Sequence, residues 1–481
     1  LYGTGSFVRA VVLSMTFACF LQKNLLDLSN RLIGKTAGDI MDQKGFFSLL
    51  SGFRREGISR RPGFTKARPS GSWRGVQEKS GLARFIGFAL LVFVVLVSPA
   101  QAQRRYPIEG DTVTLGMSTA LSGPAAIIGQ NMKAGVEAAV AEVNRSGGIR
   151  GRKLRLIALD DSYEPVRTVP NMRQLVEKEG VLAVIGNVGT PTAVVAIPIA
   201  NASQTPFVGA LTGAGVLRKT PPDRYVINYR ASYLEEVTAM VDALIIYGKL
   251  KPQEIAFFTQ RDAYGDAGFA GGIWAMKHHG LKDEKGIVHT RYERNTLAVE
   301  SGLSDIMLSV PQPRAVIMVG TYAPCAAFIA LAKNNGLKAA FLNVSFVGAE
   351  ALAEKLGSDG DGVIVSQVVP HFEADLPIVR QYVDAVRLWD PSVIPTFGSL
   401  EGYIAMRILR LGLESIQGAL TRDAVVDALV GLGTFDIGLG ETLRLGPYHH
   451  QACSGVWATV LKGGKVVPFE WQKLDTMFRG N

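Results

Sequence analysis

The chain is short of the side chains that staple small folds or build metal centres: its 481 residues include 3 cysteines and 6 histidines. Beyond residue 102 only Cys325 and Cys453 remain. Export permits a bond between them, but one bridge cannot be the main support of a body of this length, which can bury cores of its own. His278 and His279 are neighbours on an expected helix and so face two directions, which argues against a shared zinc site. The aspartates at expected strand ends, Asp160, Asp161, Asp262 and Asp266, come without a ligand cluster of recognisable spacing. No metal and no cofactor are therefore expected. A G-x-S-x-G nucleophile elbow, a G-x-x-x-x-G-K-[ST] phosphate loop and a clean G-x-G-x-x-G after the first strand are all missing, so the chain does not read as an enzyme.

Charge of one sign is missing too, once the chain is divided. The formal net charge is +9, from 51 basic and 42 acidic residues. Residues 1–102 hold 14 of the basic and 5 of the acidic ones, leaving 37 of each in the remainder. The basic excess belongs to the leader, and nothing in the body suggests a surface that tracks nucleic acid. The dividing point is a signal-peptide pattern at 79–102. Lys79 and Arg84 precede the apolar run FIGFALLVFVVLV at 85–97, and SPAQAQ supplies Ala100 and Ala102 before a cleavage point. A bilayer span needs about 20 apolar residues, so a cleaved signal is expected, and with it a periplasmic protein. Residues 1–78 are expected to be an over-extended or unstructured leader.

The body, 103–481, alternates short apolar strands with helical stretches. Strands are expected at 113–117, 154–159, 182–185, from 207, and at 254–258, 315–319, 341–344 and 363–368. Helices are expected at 130–143, 168–179, 191–202, 235–247, 268–279, around 303–308, and at 323–335. Three more follow at 376–388, 400–414 and 422–429, and then a strand pair at 455–461 and 466–469 joined through LKGGK. This rhythm predicts an α/β protein of two doubly wound lobes on parallel sheets. The divisions expected are 103–232 for the first part of lobe 1, 233–368 for the main part of lobe 2, 369–440 for a return to lobe 1, and 441–481 for a final crossover with the C-terminal strands.

Ligands of open parallel sheets lie beyond the carboxyl ends of the strands. Five such ends are rich in Gly, Thr, Ser and Tyr: 121–123, GNVGTPT from Gly186, GALTGAG from Gly209, QRDAYGDAG from Gln260 and VGTYAP from Val319. In GTPT, Gly189 permits a tight turn, Thr190 can cap the helix and Pro191 suits its first position, so an anion could gain the free amides and the helix dipole. Tyr264 and Tyr322 occupy equivalent strand-to-helix turns in the second half, where they could close over a ligand or simply pack.

Over 111–469 the chain resembles the type I periplasmic binding proteins, in particular the branched-chain amino acid (leucine/isoleucine/valine) receptors of ABC transporters. The resemblance rests on VTLGMSTALSGPAAIIGQNMKAGVEAAVAEVNRSGGIRGRKLRLIALDDSYEP, VIGNVGTPTAVVAIPIA and FFTQRDAYGDAG. It implies two Rossmann-like lobes joined by three crossovers, closing on a small molecule that is handed to an inner-membrane permease with its ATPases. It also implies a monomer. The alternative is the ligand-binding module of a sensory system, whose lobes and cleft could be the same. By resemblance the ligand contacts are Thr190 with Leu211, Thr212 and Gly213 in lobe 1, Tyr264 and Tyr322 as aromatic closers, and Ser122 at the cleft mouth. Ser345 stands where the leucine-type receptors carry a glutamate for the ligand ammonium. A sealed ammonium without an anion is costly. Either another acid, Asp262 or Glu401, replaces the glutamate, or the ligand lacks an ammonium; the sequence leans toward the second, a small carboxylate, aromatic acid or amide.

Overall fold

The computed structural model describes residues 110–479; the expected leader and signal peptide lie outside the described residues. The N-terminal half of the fold runs β1 (Thr112–Thr119), α1 (Ala126–Arg145), β2 (Lys153–Asp160), α2 (Pro165–Arg173), β3 (Ala183–Ile185), α3 (Thr190–Ala202), β4 (Phe207–Val208) and β5 (Val226–Ile227). These strands form one parallel sheet in the order β2-β1-β3-β4-β5. Strands β1 and β3 are buried almost throughout because helices cover both faces.

The second half repeats the scheme with α4 (Tyr233–Ile246), β6 (Ile255–Gln260), α5 (Ala263–His278), β7 (His289–Tyr292), α6 (Glu300–Met307), β8 (Ala315–Val319), α7 (Tyr322–Asn334), β9 (Ala340–Asn343), α8 (Ala349–Leu356) and β10 (Ile364–Gln367). The chain then makes α9 (Pro377–Trp389), α10 (Phe397–Ser415) and α11 (Arg422–Val430). A small hairpin, β11 (Gly433–Phe435) with β12 (Leu443–Leu445), is followed by β13 (Trp457–Lys462), β14 (Lys465–Phe469) and α12 (Leu474–Arg479). The second sheet has the order β14-β13-β10-β9-β8-β6-β7, parallel from β10 to β7, with β13 antiparallel to both its neighbours. The architecture is the two-lobed α/β one that the strand–helix rhythm predicts.

Helix α10 returns to the first lobe and lies along α1. Their backbones approach so closely that a Cβ on Gly135 would sit 1.8 Å from the Ser399 carbonyl oxygen, and one on Gly402 would sit 2.3 Å from that of Met132. Glu142 fixes the pair at its far end, accepting from the Tyr403 hydroxyl at 2.6 Å and pairing with Arg407 at 3.1 Å.

Three segments pass between the lobes side by side. Asn228 N donates to His450 O at 2.7 Å, Cys453 N to Tyr229 O at 2.8 Å, and the Tyr229 hydroxyl to Val368 O at 3.0 Å. The Cys325 and Cys453 thiols are free and buried.

Several elements differ from expectation. The helix expected over 168–179 is α helical only to Arg173 and then widens into a π turn over Gln174–Lys178. Strands β5 and β7, helix α8 and the β11–β12 hairpin were not expected at all. His289–Tyr292 alternates half-buried and buried residues at the sheet edge, a weak pattern to read in four residues.

Candidate functional site

The loops after β1 and β2 are tied together by two aspartates. Asp160 accepts from the backbone N–H of Leu121 at 2.8 Å and of Ser162 at 2.9 Å, and from the Ser122 hydroxyl at 2.5 Å. Partial burial pushes its carboxyl up, but these hydrogen bonds prevail and bring it down to about 2. Asp161 is buried and accepts from Ser118 Oγ at 2.8 Å and Tyr163 N at 3.0 Å. Burial raises its pKa. Both carboxylates are occupied in holding the loop, and among the described residues no group of three or more His, Cys, Asp or Glu could hold a metal. Ser122 is exposed and belongs to this staple.

At the end of β3, Gly189 adopts φ +100°, and a Cβ there would meet the Tyr163 ring at 2.1 Å. Gly189, not Thr190, is the residue before the helix, and no side chain caps it. The Thr190 hydroxyl instead lies 2.7 Å from that of Thr212, both side chains being buried. Leu211 is tied to the same turn, Gly189 N donating to its carbonyl at 3.1 Å. Gly213 gives room to Tyr233, whose N–H donates to its carbonyl at 2.8 Å; a Cβ on Gly213 would lie 2.5 Å from that nitrogen.

In the second lobe Asp262 caps α5, accepting from Tyr264 N at 3.0 Å and from Gln260 Nε2 at 2.7 Å while pairing with Arg294 at 3.2 Å. Tyr264 is fully buried, its hydroxyl donating to Gly320 O at 3.2 Å. Its ring centroid is 5.1 Å from Tyr233 and 4.8 Å from Phe346, and Phe346 is 5.8 Å from Tyr163. An aromatic column thus runs from one lobe to the other. Tyr322 begins α7 with Lys355 Nζ 5.8 Å above its ring.

Beyond Phe346 the lobes enclose a narrow recess with a cavity volume of about 30 Å³, walled by Ile128, Leu211, Phe346 and Phe397 and by polar side chains that include Arg230, Ser345, Glu350 and Glu401. Arg230 lies in the first crossover, between β5 and α4, and is 1% exposed. Its Nη2 donates to Glu236 Oε1 at 3.2 Å and to the Ser345 hydroxyl. Its Nη1 is 3.6 Å from Glu401, and neither Nε nor Nη1 makes a hydrogen bond. Glu236, fully buried, is saturated: it also accepts from Ser345 N at 2.8 Å, Ser345 Oγ at 3.1 Å and Ser366 Oγ at 2.6 Å. Burial alone would lower the arginine's pKa, but Glu401 and Glu236 beside it raise it, so the guanidinium stays charged. Burial pushes the Glu401 carboxyl up against the pull of Arg230.

Of the residues singled out by sequence, Leu211 and Ser345 reach the recess. Thr190, Thr212 and Gly213 form one wall behind Leu211, Tyr264 stands behind Phe346, and Ser122 lies with Asp160 at the loop surface. Of the two acids considered in place of a glutamate at Ser345, Glu401 lines the recess and Asp262 is consumed by its cap and ion pair. Arg230 and Glu236 were missed. Their one signal is an arginine set in the aromatic run YVINYRASY between the two halves.

Residues 112–465 match the family described as "Periplasmic binding protein". The chain is 25% identical over 347 residues to the Leu/Ile/Val-binding protein of Escherichia coli K12, covering 68% of this chain and 91% of that one. Among solved structures it resembles a possible leucine/isoleucine/valine-binding protein from Rhodopirellula baltica, with 52% identity, a TM-score of 0.74 and coverage of 76% of this chain and 99% of that one. It also resembles a substrate-binding periplasmic protein from Ralstonia solanacearum, at 26% identity, TM-score 0.69, and coverage of 74% and 100%.

Proposed function

The chain belongs to the periplasmic binding protein family, and from that premise we propose that it is an extracytoplasmic receptor delivering a small amino-acid-like or carboxylated ligand to an ABC-type importer. The relatives it matches are named as binding proteins and not as enzymes. The observation that carries the reading is the recess between the lobes, narrow as the lobes stand, whose apolar wall and convergent polar groups are the lining expected of a small-molecule site. It borders the crossover that joins the lobes, so an occupant would touch both halves and the hinge at once. Thr190, Thr212, Gly213 and Leu211 on one side, with Tyr264, Tyr322 and Ser345 on the other, frame this cleft in the proposed closed form, with Ser122 at its mouth. The setting is the periplasm, and the partners are an inner-membrane permease and its ATPases, met by a monomeric receptor.

The test is a thermal-shift screen of the purified protein against amino acids, their 2-oxo acids, aromatic carboxylates, amides and sugars. A ligand at 100 times its Kd stabilises the folded state by about 2.7 kcal/mol. At least one small carboxylated or amino-acid-like compound is expected to raise Tm and to bind one to one in calorimetry. Stabilisation by sugars alone would reject the ligand class.

A further inference from the structure

We propose that Arg230 anchors the ligand in this cleft by taking the carboxylate of a small acid with an apolar body, and that the site does not read an amino group on that acid. The inference rests on the receptor reading above and names the ligand class of the same site.

Arg230 is 1% exposed, yet two of its three guanidinium nitrogens, Nε and Nη1, have no hydrogen-bond partner. Buried donors left unmade are costly, and a charged one more so. No described side chain is within hydrogen-bond reach of either. Glu236 already accepts from Ser345 N, Ser345 Oγ, Ser366 Oγ and Arg230 Nη2. Glu401 is 3.6 Å from Nη1, too far for a hydrogen bond. Nε–H and Nη1 lie on opposite sides of the guanidinium and Nη2 is taken by Glu236 and Ser345, so an incoming carboxylate accepts a single charge-assisted hydrogen bond from Nη1. Ile128, Leu211, Phe346 and Phe397 give an apolar wall for the rest of the ligand.

An ammonium is poorly served here. It would stand beside a guanidinium, and Ser345 places a hydroxyl, not a carboxylate, on that wall. Glu236 is spent on Arg230, and Glu350, also on the recess wall, accepts from Phe397 N at 2.7 Å. Glu401 remains, and its carboxyl already faces the Arg230 guanidinium at 3.6 Å, so an ammonium would have to share it with that charge.

The experiment measures binding to the purified protein by calorimetry with two matched sets: 4-methyl-2-oxopentanoate, leucine and 3-methylbutylamine, and phenylpyruvate, phenylalanine and phenethylamine. In at least one set the 2-oxo acid is expected to bind at least as tightly as the amino acid, and the amine not at all. Arg230→Lys keeps a charge, but one ammonium cannot both pair with Glu236 and reach the position of Nη1, and should weaken the acid about tenfold. Glu401→Gln removes a carboxyl that faces the incoming carboxylate and puts an N–H donor in its place, and should bind the acid more tightly. An amino acid bound at least tenfold better than its 2-oxo acid, or weaker acid binding by Glu401→Gln, overturns the inference and leaves the receptor standing. Binding confined to sugars in the wider screen rejects the carboxylated ligand class and this inference together.

Discussion

Thr190 and Thr212 show how little of a side chain's role its type reveals. Their hydroxyls lie 2.7 Å apart and buried, so each satisfies the other in the absence of any ligand. Thr190→Val keeps the shape and deletes one hydroxyl. The loss to stability is about 1 kcal/mol, a fall in Tm of under about 4 °C for a protein of this size. If the hydroxyl also contacts the ligand, affinity falls about tenfold in calorimetry while the melting curve barely moves. An unchanged affinity would restrict Thr190 to the wall behind Leu211. His289 gives a second test at this scale. Burial, helped by nearby Arg291, lowers its pKa to about 4, and its ring stacks on Phe269 at 3.8 Å with Nε2 2.8 Å from Thr259 Oγ1. An unfolded histidine titrates near 6.5, so the contribution is complete above that pH and is lost as pH falls from about 6.5 to 4. The ring is partly exposed, so we expect a loss of about 1–2 kcal/mol, below what the full shift implies. Urea unfolding at pH 7.5 and pH 4.5 should show a smaller stability difference in His289→Gln than in the unaltered protein.

Elements were more legible than their chemistry. Strand β8 falls where its apolar run places it, and α9, α10 and α11 begin and end within a few residues of expectation, since each has a clear period and a capping or proline signal. The site was less legible because its contacts are non-local. Arg230 and Ser345 are 115 residues apart, and Arg230 meets Glu401 only because α10 returns to pack on α1. No periodicity carries that information. Helix packing here also rests on two glycines that patterning does not mark. Gly135→Ala puts a methyl 1.8 Å from a carbonyl oxygen of α10, so the helices must move apart. A loss of about 2–3 kcal/mol is expected from such overpacking. Unfolding by denaturant should show a lowered midpoint, and because α10 carries Glu401, ligand affinity should fall with it.

The whole molecule is held closed by contacts that span the cleft away from the recess. Arg294, after β7 in the second lobe, pairs with Glu164 of the first lobe at 2.7 Å, and Asn295 Nδ2 donates to the same carboxylate at 2.7 Å. Gln260 Nε2 donates to the Tyr163 hydroxyl at 3.1 Å across the same boundary. The Glu164 side chain is 34% exposed and Arg294 23%, so the pair is worth on the order of 0.5–1 kcal/mol. That is small for folding. For an equilibrium between open and closed lobes it is a two- to fivefold change in population, and a ligand that binds only the closed form feels the whole of it. Glu164→Gln should therefore leave thermal stability nearly unchanged, weaken ligand binding two- to fivefold, and give a larger radius of gyration without ligand in solution scattering. Saturating ligand should bring variant and unaltered protein to the same compact form, because binding supplies what the lost pair no longer does. High salt should erase the difference in affinity between them, since an exposed pair is screened and the hinge is not. Equal radii without ligand would mean that the Tyr163–Phe346–Tyr264 column closes the cleft without the ion pair.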